Sequence, residues 1–320
     1  MKIAMIGSGA AGSVFASYLR KGGADITLVD PYREHMEKVA KDGMTFVIYP
    51  DETYQLTGFK TALNAEGIGI MDAVIFMTKA TQARDALKTA EPCIGEDTVL
   101  VSLMNGLGNE DILLTRADPR HVMYGSGVIG TALDGPGKCI SSPIDGVQMN
   151  FGAVENGPAT DAVGKHLEKC FNDGGCYAVF QEDVKPLVWR KAIVNSVFNP
   201  LSALTRLKVK DILANPYGMA TVVGIISEAI KVANADGVPF TVPSFVKELQ
   251  SEASDGITDY FPSMAQDMLM FRRQTEIDVL NGAIAKRGKK YGIPCPTCDL
   301  ITKLVTIMQA NYDKQYEDKK

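Results

Sequence analysis

The sequence has no large excess of charge and few aromatic residues. Its 33 Lys and Arg residues are nearly balanced by 38 Asp and Glu residues, which leaves a formal net charge of −5, and 8% of the residues are aromatic. A surface of this composition presents no broad cationic patch to nucleic acid or to acidic lipid, so we expect no nucleic-acid partner. Chemistry on a small molecule is therefore the better starting hypothesis.

Long apolar runs are also missing. The longest charge-free run near the middle of the chain, residues 212–227, contains Asn215 and Pro216 and is shorter than the roughly 20 apolar residues of a membrane span. The apolar start, residues 1–6, is too short for a signal peptide and leads directly into a glycine turn. We therefore expect a cytoplasmic protein with no membrane partner.

The six cysteines are too scattered for a disulfide framework in a chain of this length. Cys295 and Cys298 form a CxxC pair, which raises a redox or zinc interpretation. No second CxxC and no nearby pair of histidines completes a four-ligand site, so we expect no metal. The alternative is that both are small residues at the start of a late helix.

The pattern of apolar residues predicts two domains. A chain of 320 residues that is 46% hydrophobic has enough material for two cores. Up to about residue 130, short β-branched runs alternate with amphipathic stretches, as in repeated βαβ units with a parallel sheet. Two-residue alternation predicts an inserted hairpin or a pair of edge strands between residues 44 and 64. The predicted strands of the sheet are residues 2–6, 25–29, 72–78, 98–104 and 121–126.

Residues 127–182 close the first domain, with strand-like pieces at 148–151 and 177–181 and a helix near 160–173. From residue 183 onward the periodicity is helical almost throughout. We therefore expect an α/β domain over residues 1–182, followed by an all-α domain over residues 183–320. The helices predicted in the second domain cover residues 183–205, 218–235, 242–253, 263–271, 274–290 and 296–311.

A glycine turn, residues 7–12, joins the first predicted strand to the first predicted helix. A GxGxxG pattern in this position is typical of dinucleotide binding in a Rossmann-type domain. Gly7 permits the tight turn, Gly9 lets a pyrophosphate approach the backbone, and Gly12 lets the helix pack closely on the strand. The helix N-terminus then offers N–H donors to the anion. The predicted cofactor-binding residues of the turn are Gly7, Ser8, Gly9, Ala10, Ala11 and Gly12.

Asp30 ends the second predicted strand, at about the distance from the glycine turn expected for the acid that binds the ribose hydroxyls. A carboxylate there repels a 2′-phosphate, so the sequence favours NAD over NADP. Two alternatives remain open. Arg33 offers a contact to a 2′-phosphate, and Asp30 fits equally well as a helix N-cap before Pro31.

Two polar side chains follow other predicted strands of the sheet. Lys79 follows the strand at 72–78, and Asn105 follows the strand at 98–104. Ligands of such sheets bind beyond the carboxyl ends of the strands, so both residues are predicted near the cofactor. The alternatives are a surface cation for Lys79 and a turn residue for Asn105.

Lys191, Asn195 and Asn199 recur at every fourth residue of a predicted helix and therefore share one face. The rest of that helix is largely apolar, which predicts burial. A buried amide without a hydrogen bond costs about 1–3 kcal/mol, which favours a ligand-facing stripe over an unpaired one. A lysine beside apolar walls has a lowered proton affinity, which suits donation to a developing alkoxide. The alternative is a solvent-exposed strip.

Two further polar residues lie in predicted helices nearer the C-terminus. Glu276 has Val279 and Leu280 at helical spacing, which places a carboxylate on an apolar face, and the alternative is stabilisation of the helix dipole. Ser263 and Gln266 form a capping box with Ser263 as the N-cap. The same helix end would also attract a substrate carboxylate.

Together these motifs resemble the ketopantoate reductase family over nearly the whole chain. The motifs are GSGAAG, TKATQ, NGLGN, WRKAIVNSVFNPLSALT, and SMAQD followed by RRQTEIDVLNG. The resemblance implies a Rossmann domain and a helical domain with substrate held in the cleft between them. It also implies NAD(P)H-dependent reduction of a 2-oxo acid to a 2-hydroxy acid, within pantothenate biosynthesis.

The same resemblance implies roles for individual residues. Lys191 is the general acid toward the keto oxygen, and Glu276 binds a substrate hydroxyl next to it. The other residues that the resemblance assigns are Asn105 near the nicotinamide, Lys79 on the cofactor side, Asn195 and Asn199 as substrate-positioning residues, and Ser263 at the substrate carboxylate.

Asp30 departs from typical members of the family, which use NADPH and carry a basic residue there. In this respect the chain looks like the NAD-using branch of the D-mandelate dehydrogenase type. The candidate activities are therefore 2-dehydropantoate 2-reductase and an NAD-dependent D-2-hydroxyacid dehydrogenase that acts on branched or aromatic 2-oxo acids. The alternative of another class is a non-catalytic dinucleotide sensor. The cofactor is expected to be NAD, with NADP as the alternative, and the helical domain offers faces for a homodimer.

Overall fold

The computed structural model describes residues 1–254 and 259–315, and its contacts divide the chain into two units. The first unit comprises Met1–Met104 and Gly108–Leu187, and the second comprises Asn105–Leu107 and Val188–Lys320. This division falls slightly later than the expected boundary after residue 182. The short segment that carries Asn105 belongs by its contacts to the second unit.

The first unit is built on two sheets, of eight and four strands. Its helices are α1 (Ala10–Lys21), α2 (Arg33–Asp42), α3 (Ala83–Ala90), α4 (Asn109–Leu113) and α5 (Pro158–Gly174). Its strands are β1 (Lys2–Ile6), β2 (Asp25–Val29), β3 (Met44–Ile48), β4 (Glu52–Leu56), β5 (Lys60–Ala62), β6 (Ala73–Phe76), β7 (Val99–Ser102), β8 (Val122–Gly127), β9 (Gly130–Leu133), β10 (Lys138–Ser142), β11 (Met149–Ala153) and β12 (Ala178–Gln181).

The large sheet has the order β12-β11-β8-β7-β6-β1-β2-β5. Its neighbours pair in parallel, except that β8 and β11 are antiparallel. β6 and β7 are buried along their whole length, as expected for central strands of a parallel sheet covered on both faces. The α/β fold predicted for the N-terminal half is confirmed.

The small sheet has the order β4-β3-β10-β9. The inserted hairpin predicted between residues 44 and 64 is present as the antiparallel pair β3 and β4. The sequence does not predict β9 and β10, because the segment is rich in glycine and its apolar alternation is weak. Its pairing is instead set at long range, by the parallel contact of β10 with β3.

The second unit is helical, which confirms the predicted fold class. Most of the predicted helices are found within a few residues of their expected ends, whereas α7 was not predicted. The helices are α6 (Lys185–Thr205), α7 (Val209–Ala214), α8 (Pro216–Ala235), α9 (Val242–Ser254), α10 (Ser263–Leu269), α11 (Asn281–Tyr291) and α12 (Pro296–Gln309).

α8 is long and apolar enough to cross a membrane by length and composition alone. The sequence predicts a helix over residues 218–235 but no membrane span, because the charge-free run ends at Ser227 and the helix continues through Glu228 and Lys231. α8 packs against α7, α9, α11 and α12, and a helix in the core of a soluble protein can have the same length and apolar composition.

The helix predicted over residues 274–290 is wrong in its first part. Residues 271–276 are irregular, a 3-10 turn covers Ile277–Val279, and α11 begins only at Asn281. The Gln309 side chain accepts hydrogen bonds from the N–H and the hydroxyl of Thr275, at 2.9 and 2.8 Å. A partner on α12 thus takes the place of helical hydrogen bonding.

Cys295 and Cys298 lie at the start of α12, as the structural alternative expected. Burial raises the pKa of Cys295 to about 11 and also raises the pKa of Cys298, so both are protonated thiols at neutral pH. The Glu228 carboxylate accepts hydrogen bonds from the N–H groups of Thr297 and Cys298, at 2.8 and 2.9 Å. Within the described ranges, no group of three or more His, Cys, Asp or Glu residues is arranged to hold a metal.

Glu228→Gln will lower the free energy of unfolding by about 1–3 kcal/mol, because an amide loses the negative charge and turns a donor toward the N–H groups of α12. Chemical denaturation followed by circular dichroism measures the change. Glu248→Gln is the matched control, since Glu248 pairs with Arg190 at a partly exposed site, and such a pair contributes about 0–1 kcal/mol. Equal losses in the two variants would show that Glu228 does not anchor α12.

Candidate active site

The glycine turn lies between β1 and α1, and its three glycines meet different constraints. Gly7 has a φ of +93°, and a Cβ there would lie 2.8 Å from the Thr78 side chain. A Cβ on Gly12 would lie 1.9 Å from the carbonyl oxygen of Gly7, so only glycine allows this packing. A Cβ on Gly9 would meet no atom within 4 Å. The turn therefore leaves room for a pyrophosphate at Gly9, where the N–H groups at the start of α1 would bind it.

Asp30 lies directly after β2, beside the glycine turn. Its carboxylate accepts hydrogen bonds from the backbone N–H of Ser8 at 2.7 Å and from that of Tyr32 at 2.8 Å. α2 begins at Arg33 with Tyr32 as its N-cap, so the interpretation of Asp30 as that N-cap is wrong. The Arg33 guanidinium pairs with Glu37 of its own helix at 3.4 Å. Asp30 therefore fixes a negative charge at this end of the turn.

Lys79 follows β6, the strand that pairs with β1. It is the N-cap of a short 3-10 turn, Ala80–Gln82. Its neighbour Thr78 is the residue that a side chain on Gly7 would strike. The structure thus places Lys79 at the carboxyl edge of the sheet, on the strand next to the one that leads into the glycine turn.

Lys191 lies on α6 in the second unit, where its ammonium group donates a 2.7 Å hydrogen bond to Oδ1 of Asn105. Burial lowers the pKa of Lys191 to about 8, and the negative charge of Glu276 opposes part of that shift. The group is still mainly protonated at neutral pH, yet it is close to the point at which it releases the proton. An amine with these properties can act as a general acid.

The loop that carries Asn105 is packed against the segment that carries Glu276. Gly106 has a φ of +93°, and a Cβ there would lie 2.5 Å from the Val279 side chain. The N–H of Leu107 donates to the carbonyl oxygen of Val279 at 2.8 Å. Glu276 itself is only 9% exposed. The structure therefore brings both polar residues to the ammonium group described above.

Asn195 and Asn199 follow Lys191 on the same face of α6 at helical spacing. Asn199 is buried, and Asn195 is half-buried like Lys191. The stripe is therefore not a fully solvent-exposed strip, which was the alternative interpretation. That the two amides face a ligand stays a prediction.

Ser263 is exposed and is the first residue of α10 rather than its N-cap. The N-cap is Pro262, and no side chain caps this end, so the predicted capping box is wrong. The Gln266 amide instead donates to the carbonyl oxygen of Phe261 at 2.9 Å. The serine hydroxyl is consequently not used as a cap, and its contact with a substrate carboxylate stays a prediction.

Sequence reasoning missed the side chains that hold the Glu276 segment. Gln309 lies 34 residues along the chain from Thr275, the residue before Glu276. The buried carboxylate of Asp267 accepts two contacts from the Arg273 guanidinium, at 2.6 and 2.5 Å. No local pattern pairs residues across such separations, although a buried acid close to a run of arginines is a usable signal for the second contact.

Comparisons with known proteins match this chain to one family over most of its length. The family model described as "Ketopantoate reductase PanE/ApbA" matches residues 3–156, and its C-terminal counterpart matches residues 183–309. A 2-dehydropantoate 2-reductase from Streptococcus pyogenes is 30% identical over 97% of this chain and 98% of its own length.

Solved structures show the same likeness. The ternary structure of D-mandelate dehydrogenase with NADH and anilino(oxo)acetate has a TM-score of 0.86 at 29% identity, and covers 98% of this chain and 100% of its own. A 2-dehydropantoate 2-reductase from Geobacter metallireducens has a TM-score of 0.83 at 26% identity, and covers 96% and 99%. The chain therefore belongs to the ketopantoate reductase family and is an oxidoreductase that acts on a 2-oxo acid.

Proposed function

We propose that this chain reduces 2-dehydropantoate to its 2-hydroxy acid and uses NADH as the preferred reductant. The observation that carries the proposal is the Lys191 ammonium group, which Asn105 holds beside the buried carboxylate of Glu276. A cation in such a site stabilises the oxyanion that develops when a carbonyl is reduced, and it can then protonate that oxygen. The family match and the curated relatives support the choice of substrate.

Lys191 delivers the proton in this reaction. Bound NADH supplies the hydride that the carbonyl carbon receives. Asn105 accepts one of the three ammonium hydrogens and so orients the group for the keto oxygen. Because the pKa of Lys191 is about 8, the group holds its proton at neutral pH and gives it up once negative charge develops on the substrate.

Glu276 has two tasks in the proposal. Its negative charge favours the protonated form of Lys191, and its carboxylate accepts a hydrogen bond from a substrate hydroxyl. A carboxylate and an ammonium group that are both removed from water are each costly alone, so each stabilises the other. The remaining proposed substrate contacts are Asn195 and Asn199 on α6 and Ser263 at the start of α10.

The preference for NADH depends on Asp30. Its carboxylate holds two backbone N–H groups, so its charge cannot turn away without the loss of both hydrogen bonds. The 2′-phosphate of NADPH would add about −1.5 to −2 charges beside this carboxylate, which is unfavourable. The other residues proposed to bind the dinucleotide are Gly7, Ser8, Gly9, Ala10, Ala11, Gly12, Lys79 and Asn105.

A second candidate is an NAD-dependent D-2-hydroxyacid dehydrogenase that acts on branched or aromatic 2-oxo acids. The likeness to D-mandelate dehydrogenase with NADH and anilino(oxo)acetate favours it, as does the carboxylate of Asp30. The two candidates share the proton donor Lys191. They differ in the group that the 2-oxo acid carries.

The proposal includes a homodimer in the cytoplasm. α12 exposes Leu300, Leu304 and Ile307, which recur at helical spacing along one face. Exposed apolar side chains along one helix face favour a surface that meets another protein. The cytoplasmic location stays a prediction from the sequence.

Lys191→Met will reduce kcat roughly 10²–10⁴-fold, because methionine fills the space of the side chain and has no proton to donate. The dissociation constant of NADH, measured by fluorescence titration without a 2-oxo acid, should change by less than about twofold. Arg190→Met on the same helix is the control, since that cation pairs with Glu248. A variant that kept the full kcat would contradict the role of Lys191 as proton donor, whereas a wild-type chain that binds NADH but reduces no 2-oxo acid would identify a dinucleotide sensor.

Steady-state rates with 2-dehydropantoate, benzoylformate and 2-ketoisovalerate, each with NADH and NADPH, separate the two candidates. The proposal predicts the highest kcat/KM with 2-dehydropantoate and NADH. Asp30→Asn should lower the preference for NADH over NADPH about tenfold, because it removes the repelling charge.

Asp25→Asn is the control for this substitution, since Asp25 lies at the other end of β2 and pairs with Lys60. The highest kcat/KM with benzoylformate would support the second candidate. A wild-type preference for NADPH would contradict the role given to Asp30.

A further inference from the structure

His35 is a fully buried imidazole that takes no part in the proposed reaction. It lies on α2 in the first unit, and the ring of Tyr32 stacks against it with centroids 5.9 Å apart. Its Nδ1 accepts a hydrogen bond from the N–H of Gly137 at 2.9 Å. Its Nε2 lies 3.3 Å from Oγ of Ser8 and 3.2 Å from Oγ of Ser13. Both ring nitrogens are therefore engaged with polar groups.

The contact with Gly137 determines which ring nitrogen of His35 carries the proton. A ring nitrogen that accepts a hydrogen bond carries no proton, so the single hydrogen of the neutral imidazole lies on Nε2. Burial lowers the pKa of His35, which favours this neutral form. The Nε2–H of His35 is therefore directed at the hydroxyls of Ser8 and Ser13.

These hydroxyls hold the middle of the glycine turn. Oγ of Ser13 donates to the carbonyl oxygen of Ser8 at 2.8 Å, and the two hydroxyl oxygens lie 3.2 Å apart. The carboxylate of Asp30 accepts the N–H of Ser8. The peptide groups on both sides of Ser8 are thus held by side chains. The next residue is Gly9, where the backbone is open to a pyrophosphate.

We propose that His35 is a positioning residue for the dinucleotide: through Ser8 and Ser13 it fixes the peptide groups that lead into the pyrophosphate site. The inference rests on the proposed NADH-dependent function and deepens it. Gly137 lies in the turn between β9 and β10, so the four-stranded sheet supports the glycine turn through this ring. A turn without this support must be ordered when the dinucleotide binds, which weakens affinity.

Two substitutions separate the two hydrogen bonds of the ring. His35→Asn keeps an acceptor near the position of Nδ1 for Gly137 but is too short to reach the serines. His35→Gln keeps a donor near the position of Nε2 and loses that acceptor. We expect His35→Asn to raise the dissociation constant of NADH roughly 3- to 10-fold, as one lost hydrogen bond does, and His35→Gln to restore most of the affinity.

The measurement is a fluorescence titration of the whole chain with NADH and no 2-oxo acid, followed by steady-state kinetics. In the kinetics, the effect of His35→Asn should appear in the KM for NADH and not in kcat. Ser13→Ala completes a double-mutant cycle. The double variant should bind NADH no more weakly than the single variant that binds it less well, because both substitutions remove the same chain of hydrogen bonds.

His166→Asn is the control, since the His166 ring contacts Cys170 within α5, and NADH should bind to it as to the wild type. Equal NADH affinities of His35→Asn and His35→Gln would overturn the inference, as would multiplicative losses in the cycle. A wild-type chain that binds no NADH would contradict the proposed function as well. A chain that shows the expected pattern of binding but reduces no 2-oxo acid would contradict the proposed function alone.

Discussion

The structure depends on a lysine ammonium group that is largely removed from bulk water. Desolvation favours the neutral amine, and Lys191 retains its proton because Asn105 accepts a hydrogen bond from it and Glu276 supplies the opposite charge. Both Asn105 and Glu276 are held in position by further contacts. The Asn105 loop is hydrogen-bonded to the Glu276 segment, and Thr275 ties that segment to Gln309 on α12. These contacts in the irregular part of the second unit therefore hold the two groups that keep Lys191 protonated.

In the first unit, too, polar groups are held in position by other residues, here for an anion. Close contacts at Gly7 and Gly12 exclude side chains and bring the start of α1 up to the turn, while Gly9 is left open. Asp30 and Ser13 then hold the peptide groups on the two sides of Ser8, and the His35 ring contacts both serine hydroxyls. Groups that are already oriented need little reorganisation when charge arrives, which is the usual source of both tight binding and electrostatic catalysis.

Local patterns predicted the fold class, the large sheet and most helices, because apolar periodicity and glycine turns are properties of adjacent residues. The same patterns singled out Lys191, Asn105 and Glu276, which lie near one another in the structure, although the helix predicted around Glu276 is wrong. They failed where a distant partner decides the outcome. β10 forms because β3 offers it an edge, and the segment before Glu276 is irregular because side chains on α10 and α12 hold it. His35 is a further case, since its partners come from the glycine turn and from a loop 102 residues away.

The pH dependence of kcat/KM in both directions tests the role of Lys191 most directly. Lys191 is protonated below its pKa of about 8, so reduction of the 2-oxo acid should be constant at lower pH and fall about tenfold per pH unit above that value. Oxidation of the 2-hydroxy acid needs the neutral amine, so it should rise about tenfold per pH unit below that value and be constant above it. The account predicts opposite slopes with a shared inflection. Parallel slopes, or no inflection in either direction, would contradict it.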